Sequence, residues 1–259
     1  MSHALHHNQD SLQSVPKGRQ CYCVDLPAVE YREAWDLQHS LVAARKNGII
    51  DRDIVLFLEH HPVFTLGRRG GLDGLMVSES FLEKERITVV HVERGGDITF
   101  HGPGQLVVYP IIDLRAAGLG VADYVTALEE VMIRTAADFG VKAEQNPKNR
   151  GVWIGNNKLG SIGVAVRRGV SFHGLALNVN TSLTPFSWIH PCGLSGIGMT
   201  SLGRELSREV SMSQVRASAR HNVESVFGVQ LVIKSLAELK AFMQETGSPS
   251  VYTKNIPHS

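Results

Sequence analysis

Residues 152–179 read VWIGNNKLGSIGVAVRRGVSFHGLALNV, and this stretch decides the fold class. Short runs rich in Val, Ile, Leu and Phe predict strands over Val152 to Ile154, Leu159 to Val166 and Ser171 to Val179. The pairs Asn156-Asn157 and Arg168-Gly169 separate these runs. Because Asn and Gly tolerate positive φ, both pairs favour hairpin turns. The stretch therefore predicts a β-rich middle of the chain.

Segments with a helical period surround this β-rich middle. They are predicted over Val29 to Asn47, Val121 to Phe139, Ser213 to Phe227 and Ser235 to Glu245, with a short helix near the capping-box pattern at Ser80 to Glu83. Ser211 or Ser213 is the expected N-cap of the third long helix, and Gly228 lies beyond its end. Further strands are predicted over Tyr22 to Leu26, Asp53 to Leu58, Ile87 to Val92 and Leu106 to Ile112. Hairpins mixed with isolated helices favour one α+β, sheet-centred domain.

The composition, with an apolar fraction of 43%, indicates an ordinary soluble globular protein. Lys and Arg number 26 and Asp and Glu 25 in 259 residues, so neither nucleic acid nor an anionic membrane is an expected partner. No apolar run is long enough to span a bilayer. Three cysteines make a poor disulfide framework, and the first 14 residues have no apolar signal region. We therefore expect a cytoplasmic protein with free thiols, and a flexible tail around His3, His6 and His7.

The segment Arg94 to Gln105 reads RGGDITFHGPGQ and holds four glycines between two predicted strands. Two tight turns would explain the glycines, but not Arg94, His101 and Gln105 beside them, so we favour a loop that lines a ligand. The phosphate-binding patterns G-x-x-x-x-G-K-[ST] and G-x-G-x-x-G are absent. The reaction is thus expected to use an activated substrate rather than ATP.

Cys192 lies in Pro191-Cys192-Gly193-Leu194-Ser195-Gly196, where small residues suit an exposed turn with free backbone N–H groups. A thiol nucleophile and its oxyanion hole need such a turn, although a lone Cys is also commonly a buried small apolar residue. Cys21 and Cys23 share a strand face and are expected to pack in the core; alone they supply too few ligands for zinc. The candidate bases are His101, His173, His190 and Lys158, and the residues alone do not choose among them.

Several motifs together resemble the lipoyl(octanoyl) transferase family. They are Glu59 to Arg68 (EHHPVFTLGR), Arg94 to Gln105, Lys158 to Val164 (KLGSIGV), His173 to Val179 (HGLALNV), Pro191 to Leu194 (PCGL) and Thr200 to Leu202 (TSL). The resemblance implies the catalytic-domain fold of the biotin and lipoate protein ligases, a single α+β domain with a central mixed β-sheet flanked by helices. We place this domain at residues 18–246, between tails at 1–17 and 247–259.

The resemblance also implies the roles of individual residues. Cys192 matches the cysteine that carries the acyl thioester, and Lys158 matches the lysine that lowers the pKa of that thiol and acts as acid and base. No cofactor and no metal are implied. The implied substrate-binding residues are Arg94, Gly95, Gly96, Asp97, Ile98, Thr99, Phe100, His101, Ser161, Ile162, Gly163, Gly174, Leu175 and Ala176.

The implied reaction is the octanoyl transfer that begins endogenous lipoate synthesis. The donor is octanoyl-acyl carrier protein, and the acceptors are apo lipoyl domains of 2-oxoacid dehydrogenase E2 subunits and the glycine cleavage H protein. Backbone N–H groups near Gly163 or Cys192 are candidate oxyanion donors. Because acyl carrier proteins are acidic, a docking rim is a further hypothesis. Its residues are Arg68, Arg69, Lys148, Arg150, Arg167 and Arg168.

Four alternatives stay open. On the same fold they are an ATP-dependent lipoate or biotin ligase, an enzyme that moves the acyl group between lipoyl domains, and a non-catalytic acyl-binding module. The fourth alternative, a thiol protease, has support only from Cys192 and scattered histidines. The acyl chain length, the residue that closes the acyl pocket, the oligomeric state and the preferred acceptor are not determined by the sequence, although the resemblance suggests a monomer.

Overall fold

The computed structural model describes residues 18–147, 149–190 and 197–245. The expected tails at 1–17 and 247–259 therefore lie outside the described residues. Within the described ranges, no helix combines the length and the apolar character needed to cross a membrane.

One large mixed sheet forms the centre of the domain. Its strands are β1 (Arg19–Val29), β2 (Asp53–His60), β6 (Gln105–Ile111), β7 (Glu144–Gln145), β8 (Val152–Ile154), β9 (Asn157–Arg167), β10 (Val170–Asn178), β11 (Gly198–Met199) and β12 (Val229–Ile233). Their order in the sheet is β12-β1-β2-β6-β10-β9-β8-β7, and the short β11 pairs with β9. β1 pairs in parallel with β2 and with β12. Antiparallel pairings join β2 to β6, β6 to β10, β10 to β9 and β9 to β8.

A second sheet consists of three strands, β3 (Val63–Leu66), β4 (Thr88–His91) and β5 (Ile98–His101). Their order in the sheet is β4-β3-β5. β5 corrects the expectation that the whole glycine-rich segment is a loop. Its apolar and β-branched residues pair antiparallel with β3, so that Phe100 lies opposite Phe64. The four residues are too few for a periodic signal, and only the distant partner strand makes them a strand.

The helices form around the apolar stripes that the sequence shows. They are α1 (Tyr31–Lys46), α2 (Glu79–Lys84), α3 (Val121–Asp138), α4 (Leu202–Leu206), α5 (Met212–Phe227) and α6 (Leu236–Glu245), with 3-10 turns at Leu72–Gly74 and Thr184–Trp188. Ser211 caps α5, and Gly228 ends it in the left-handed region at φ 60°, as predicted. The expected cap at Ser80 is wrong, because Ser78 accepts the hydrogen bond of Phe81 N.

The central strands are apolar on both faces because helices cover both. On β2, Val55 and Phe57 join the core under α3 and α5, while Ile54, Leu56 and Leu58 join the core under α1 and α6. Burial on two faces removes the simple alternation of polar and apolar residues. The β9–β10 hairpin turns at Arg168 and Gly169 as predicted, and both residues are at positive φ. The preceding hairpin turns at Gly155-Asn156, one residue earlier than expected, because Asn157 already pairs with Ile154.

Candidate active site

A cleft that is partly open to solvent lies where the β9–β10 hairpin meets the small sheet. Apolar side chains cover much of it, and a few polar groups converge on it, which is the usual make-up of a small-molecule site. Its lining residues are Tyr31, Arg94, Gly96, Asp97, Ile98, Thr99, His101, Tyr109, Lys158, Ser161, Ile162, Gly163, His173, Gly174, Leu175, Ala176, Phe186, Ile189 and Met199.

Two of the implied substrate-binding stretches are directly paired strands. Ser161 lies opposite Ala176, Ile162 opposite Leu175, and Gly163 opposite Gly174 in the β9–β10 ladder. These three cross-strand pairs form one continuous wall of the cleft. The wall begins near Lys158 and ends at the glycine pair, about 16 Å further along β9 at the usual strand rise. This separation does not favour Gly163 as an oxyanion donor for chemistry at Lys158.

The glycine-rich segment forms the facing wall. All of its implied substrate residues line the cleft except Gly95 and Phe100. The Phe100 ring packs instead against Phe64 and Phe186. Gly95 N donates to Val164 O at 2.9 Å, which joins this wall to the end of β9.

Arg94 is buried and holds the facing wall in place. Its guanidinium Nη2 donates to Thr65 O at 2.6 Å and to Thr65 Oγ1 at 2.8 Å, and Nη1 donates to Gly95 O at 3.1 Å. Burying a guanidinium is costly unless its donors find acceptors, and these bonds supply them. The Arg94 stem packs over Gly163, where an added Cβ would come within 2.7 Å of Arg94 Cδ.

Lys158 is half-buried at the start of β9, at one end of the cleft. Its Nζ lies 5.2 Å from the centre of the Trp153 ring, a cation–π distance. On its main chain, Thr200 N donates to Lys158 O at 3.0 Å. Although Lys158 follows a polar turn, its side chain is therefore packed against other residues and is not fully solvated.

Cys192 lies outside the described residues. The described chain on either side of 191–196 is nevertheless fixed at the cleft. Ile189 lines the cleft before this segment, and Met199 lines it afterwards. His190 is exposed, and its backbone N donates to Gly74 O at 2.8 Å.

Sequence reasoning missed Tyr31, Tyr109, Phe186, Ile189 and Met199 as lining residues. The sequence holds only a weak indication of the two tyrosines: a Tyr hydroxyl buried in a core needs a hydrogen-bond partner. Tyr109 lies in the fully buried β6, and its hydroxyl is 2.7 Å from His60 Nε2. Tyr31 Oη is 3.4 Å from His173 Nδ1. Their partners come from distant parts of the chain, so no local pattern identifies them.

Beside the cleft lies a buried cluster of imidazole and phenol rings. Its members are Tyr31, His60, His101, Tyr109 and His173. Burial lowers the pKa of His60 to about 4 and that of His101 well below its usual value. Burial also lowers the pKa of His173. All three imidazoles are therefore neutral at pH 7, so each has one N–H donor and one acceptor nitrogen.

His173 adopts φ 56° inside β10, where a side-chain-bearing residue is strained. Its backbone N donates to the buried Gln38 Oε1 at 2.7 Å, and its ring Nε2 lies 3.6 Å from Glu93 Oε2. Burial alone would raise the pKa of Glu93, but the neighbouring His173 imidazole and hydrogen bonding to its own backbone lower it to about 2. The strained conformation is thus held by groups from α1 and the chain before Arg94.

Neither a metal site nor a reactive thiol is evident in the described ranges. No group of three or more His, Cys, Asp or Glu side chains there could hold a metal ion. Cys21 and Cys23 are buried and free, and burial raises the pKa of each thiol to about 12. The expectation that both pack in the core is confirmed.

Comparison with known proteins identifies this architecture. Solved structures of a bipartite lipoate protein ligase from Thermoplasma acidophilum and of a lipoate-protein ligase A bound with ATP superpose with TM-scores of 0.66 and 0.65. Each is 15% identical to this chain; the matches cover 88% of it in both cases and 91% and 93% of the ligases. At such identity the likeness concerns the fold alone. The α+β domain thus has the fold of the lipoate protein ligases, as predicted.

Proteins with similar sequences identify the family of this chain more narrowly than the fold does. The lipoyl protein ligase A/B catalytic domain family matches residues 30–224. The octanoyltransferase of Desulfotalea psychrophila is 50% identical over 85% of this chain and 99% of its own length. The octanoyltransferase of Syntrophobacter fumaroxidans is 45% identical over 88% of this chain and 99% of its own length. The chain therefore belongs to the octanoyltransferase family within the lipoyl protein ligase A/B catalytic domains, and it is an acyltransferase.

Proposed function

We propose that this protein transfers an octanoyl group from octanoyl-acyl carrier protein to a lysine of apo lipoyl domains. The group passes through a thioester on Cys192, and Lys158 acts as acid and base. The observation that supports this most directly is that Lys158 lines the same cleft as residues on both described sides of the Cys192 segment. Ile189 and Met199 line the same cleft, and Met199 pairs in register with Lys158.

The cleft suits an acyl chain attached at the Lys158 end. Ile162, Leu175 and Ile98 line it beyond Lys158, and the glycine pair Gly163 and Gly174 lies at the far end of the hairpin wall. Burial stabilises a fatty chain by about 0.8 kcal/mol for each CH₂ group. An apolar cleft of this kind therefore favours an octanoyl group over short acyl groups.

The reaction balances without a nucleotide. Lys158 in its neutral form withdraws the thiol proton of Cys192, and the thiolate attacks the thioester carbonyl of the donor. The pantetheine thiol leaves and takes the proton from Lys158. The ε-amine of the acceptor lysine then attacks the acyl-enzyme carbonyl while neutral Lys158 removes a proton from that amine. An amide forms, and the departing Cys192 sulfur takes the proton back from Lys158. A thioester is exchanged for a thioester and then for a more stable amide, so the sequence of steps runs downhill.

Intact-mass spectrometry after mixing the protein with octanoyl-acyl carrier protein tests this proposal. One octanoyl adduct is expected, mapped to Cys192, and apo lipoyl domain should remove it. Cys192→Ser and Lys158→Ala are both expected to lose transfer by several orders of magnitude. Lys142→Ala replaces an exposed lysine and is the matched control. Undiminished transfer by Cys192→Ala would overturn the proposal.

Donor exchange separates the alternatives on the same fold. Octanoate with ATP in place of the thioester donor should give no product, whereas a ligase would use it. An octanoylated lipoyl domain as donor should also give none, whereas an enzyme that moves acyl groups between lipoyl domains would use it. A non-catalytic acyl-binding module would bind the donor and form no covalent adduct.

A further inference from the structure

Glu129 is a buried carboxylate on α3 that takes no part in the proposed chemistry. Its side chain is 1% exposed. Oε1 accepts a hydrogen bond from Gly151 N at 2.8 Å, and Oε2 accepts one from Arg150 Nη1 at 3.1 Å. Hydrogen bonding to backbone groups such as Gly151 N offsets the cost of burying a carboxylate. Glu129 thereby ties α3 to the backbone that enters β8.

Gly151 lies directly against the Lys158 side chain. A Cβ added at Gly151 would lie 2.6 Å from Lys158 Cε and 3.3 Å from Nζ. Gly151 adopts φ 121°, which L side chains rarely reach. The Trp153 ring faces Nζ at 5.2 Å. The Lys158 side chain therefore occupies a slot between the Gly151 backbone and the Trp153 ring.

We propose that Glu129 is a positioning residue for Lys158. Through its hydrogen bond to Gly151 N, it fixes the backbone wall of the slot that aims the lysine amine into the cleft. The inference rests on the proposed role of Lys158. The ion pair to Arg150 contributes little, because the Arg150 side chain is 56% exposed and such pairs are weak. The Gly151 hydrogen bond is therefore the interaction that matters.

Substitutions at Glu129 test this role. Glu129→Ala and Glu129→Met remove the acceptor, and the second keeps most of the volume. Both should lower the rate of acyl-enzyme formation at saturating donor by about 10- to 100-fold, because misplacement of a reacting group by about 1 Å has effects of this size. The KM for the donor should change little, and the pH dependence of acylation should shift. Glu129→Gln retains an oxygen for Gly151 N and should restore both the rate and the pH profile.

The control is Glu130→Ala, which removes the neighbouring glutamate of α3. Glu130 is paired with Arg134 at the surface, so this variant should match the wild type. Folding of each variant is checked by urea denaturation before its rate is compared. If folded Glu129→Met keeps the wild-type rate and pH profile while Lys158→Ala is inactive, the positioning role is overturned and the proposed function stands. If Lys158→Ala is active, the proposed function itself fails.

Discussion

Met199 lies directly beside Lys158, as a parallel pair between β11 and β9. The next residue extends this contact, because Thr200 N donates to Lys158 O at 3.0 Å. The chain that leaves the Cys192 segment is thus fixed to the lysine proposed to activate Cys192. Hydrogen bonding continues from there into the core, where Asn178 Nδ2 donates to Thr200 O at 3.0 Å.

Replacement of Asn178 should disturb this connection. Asn178 is buried, and its Oδ1 also accepts from Gln105 Nε2 at 2.9 Å. Asn178→Leu removes both hydrogen bonds from the core, so we expect a loss of about 2–4 kcal/mol in the free energy of unfolding. Acyl-enzyme formation should slow in the folded protein. Urea denaturation and a single-turnover assay measure the two effects; Ser187→Ala, at an exposed site, is the control. Wild-type stability in Asn178→Leu would contradict the prediction.

The glycine pair at the far end of the cleft should control acyl chain length. Gly163→Ala places a methyl group 2.7 Å from Arg94 Cδ and 3.2 Å from Gly95 O, so the facing wall must shift. We expect kcat/KM to fall by about tenfold or more for octanoyl donors, and by less for butanoyl donors, since each lost CH₂ contact is worth about 0.8 kcal/mol. Gly120→Ala, at the exposed N-cap of α3, is the control. An equal loss for both donors would argue against the prediction.

Stability should fall in mild acid because of the buried imidazoles. The pKa of His60 is 6.5 in the unfolded chain and about 4 in the folded protein, so the unfolded chain binds the additional proton between these values. The free energy of unfolding therefore decreases as the pH falls from 6.5 to about 4, by about 3 kcal/mol for this one group. His101 and His173 act in the same direction. Melting temperatures at pH 7, 5.5 and 4 measure the effect, and His60→Gln should make the decrease smaller. A constant melting temperature would refute the assignment.

The two N-terminal thiols should be inert in the native protein. Burial raises the pKa of Cys21 and Cys23 to about 12, and thiolates are the reactive form. A Cys192→Ala variant should therefore show no rapid reaction with iodoacetamide at pH 8, and both remaining thiols should react once it is unfolded in urea. The wild type should react rapidly at Cys192. Rapid native labelling of Cys192→Ala would contradict this view.

Part of the predicted basic rim should steer the acidic donor. Arg68 and Arg69 are exposed, and Arg69 N donates to Gly96 O at the cleft wall. Arg68→Glu with Arg69→Glu should lower kcat/KM for the carrier-protein donor by about tenfold at low salt, with less effect at high salt. Arg32→Glu, on the exposed face of α1, is the control for net charge. A salt-independent rate in the wild type would remove the rim from consideration. Of the six predicted rim residues, Lys148 lies outside the described residues.

The sequence by itself determined the α+β class, the extent of the long helices and the β9–β10 hairpin. Apolar periodicity, the capping Ser211 and the turn at Arg168-Gly169 are local signals, and local signals suffice because they reflect interactions between near neighbours in the chain. The motifs also named most of the residues that the fold brings to the cleft. What they do not contain is the distance between stretches far apart in the chain.

Only the tertiary structure decided which side chains meet. Strand register placed Gly163 opposite Gly174, and packing of α1 on the sheet brought Tyr31 beside the buried histidines. It also made residues 98–101 a strand, since a four-residue segment becomes one only when a partner such as β3 is present. Most importantly, the tertiary structure placed Gly151 in contact with the Lys158 side chain and brought Glu129 within hydrogen-bond distance of Gly151 N. Such contacts depend on how helices and strands pack over long sequence separations, and no local periodicity records them.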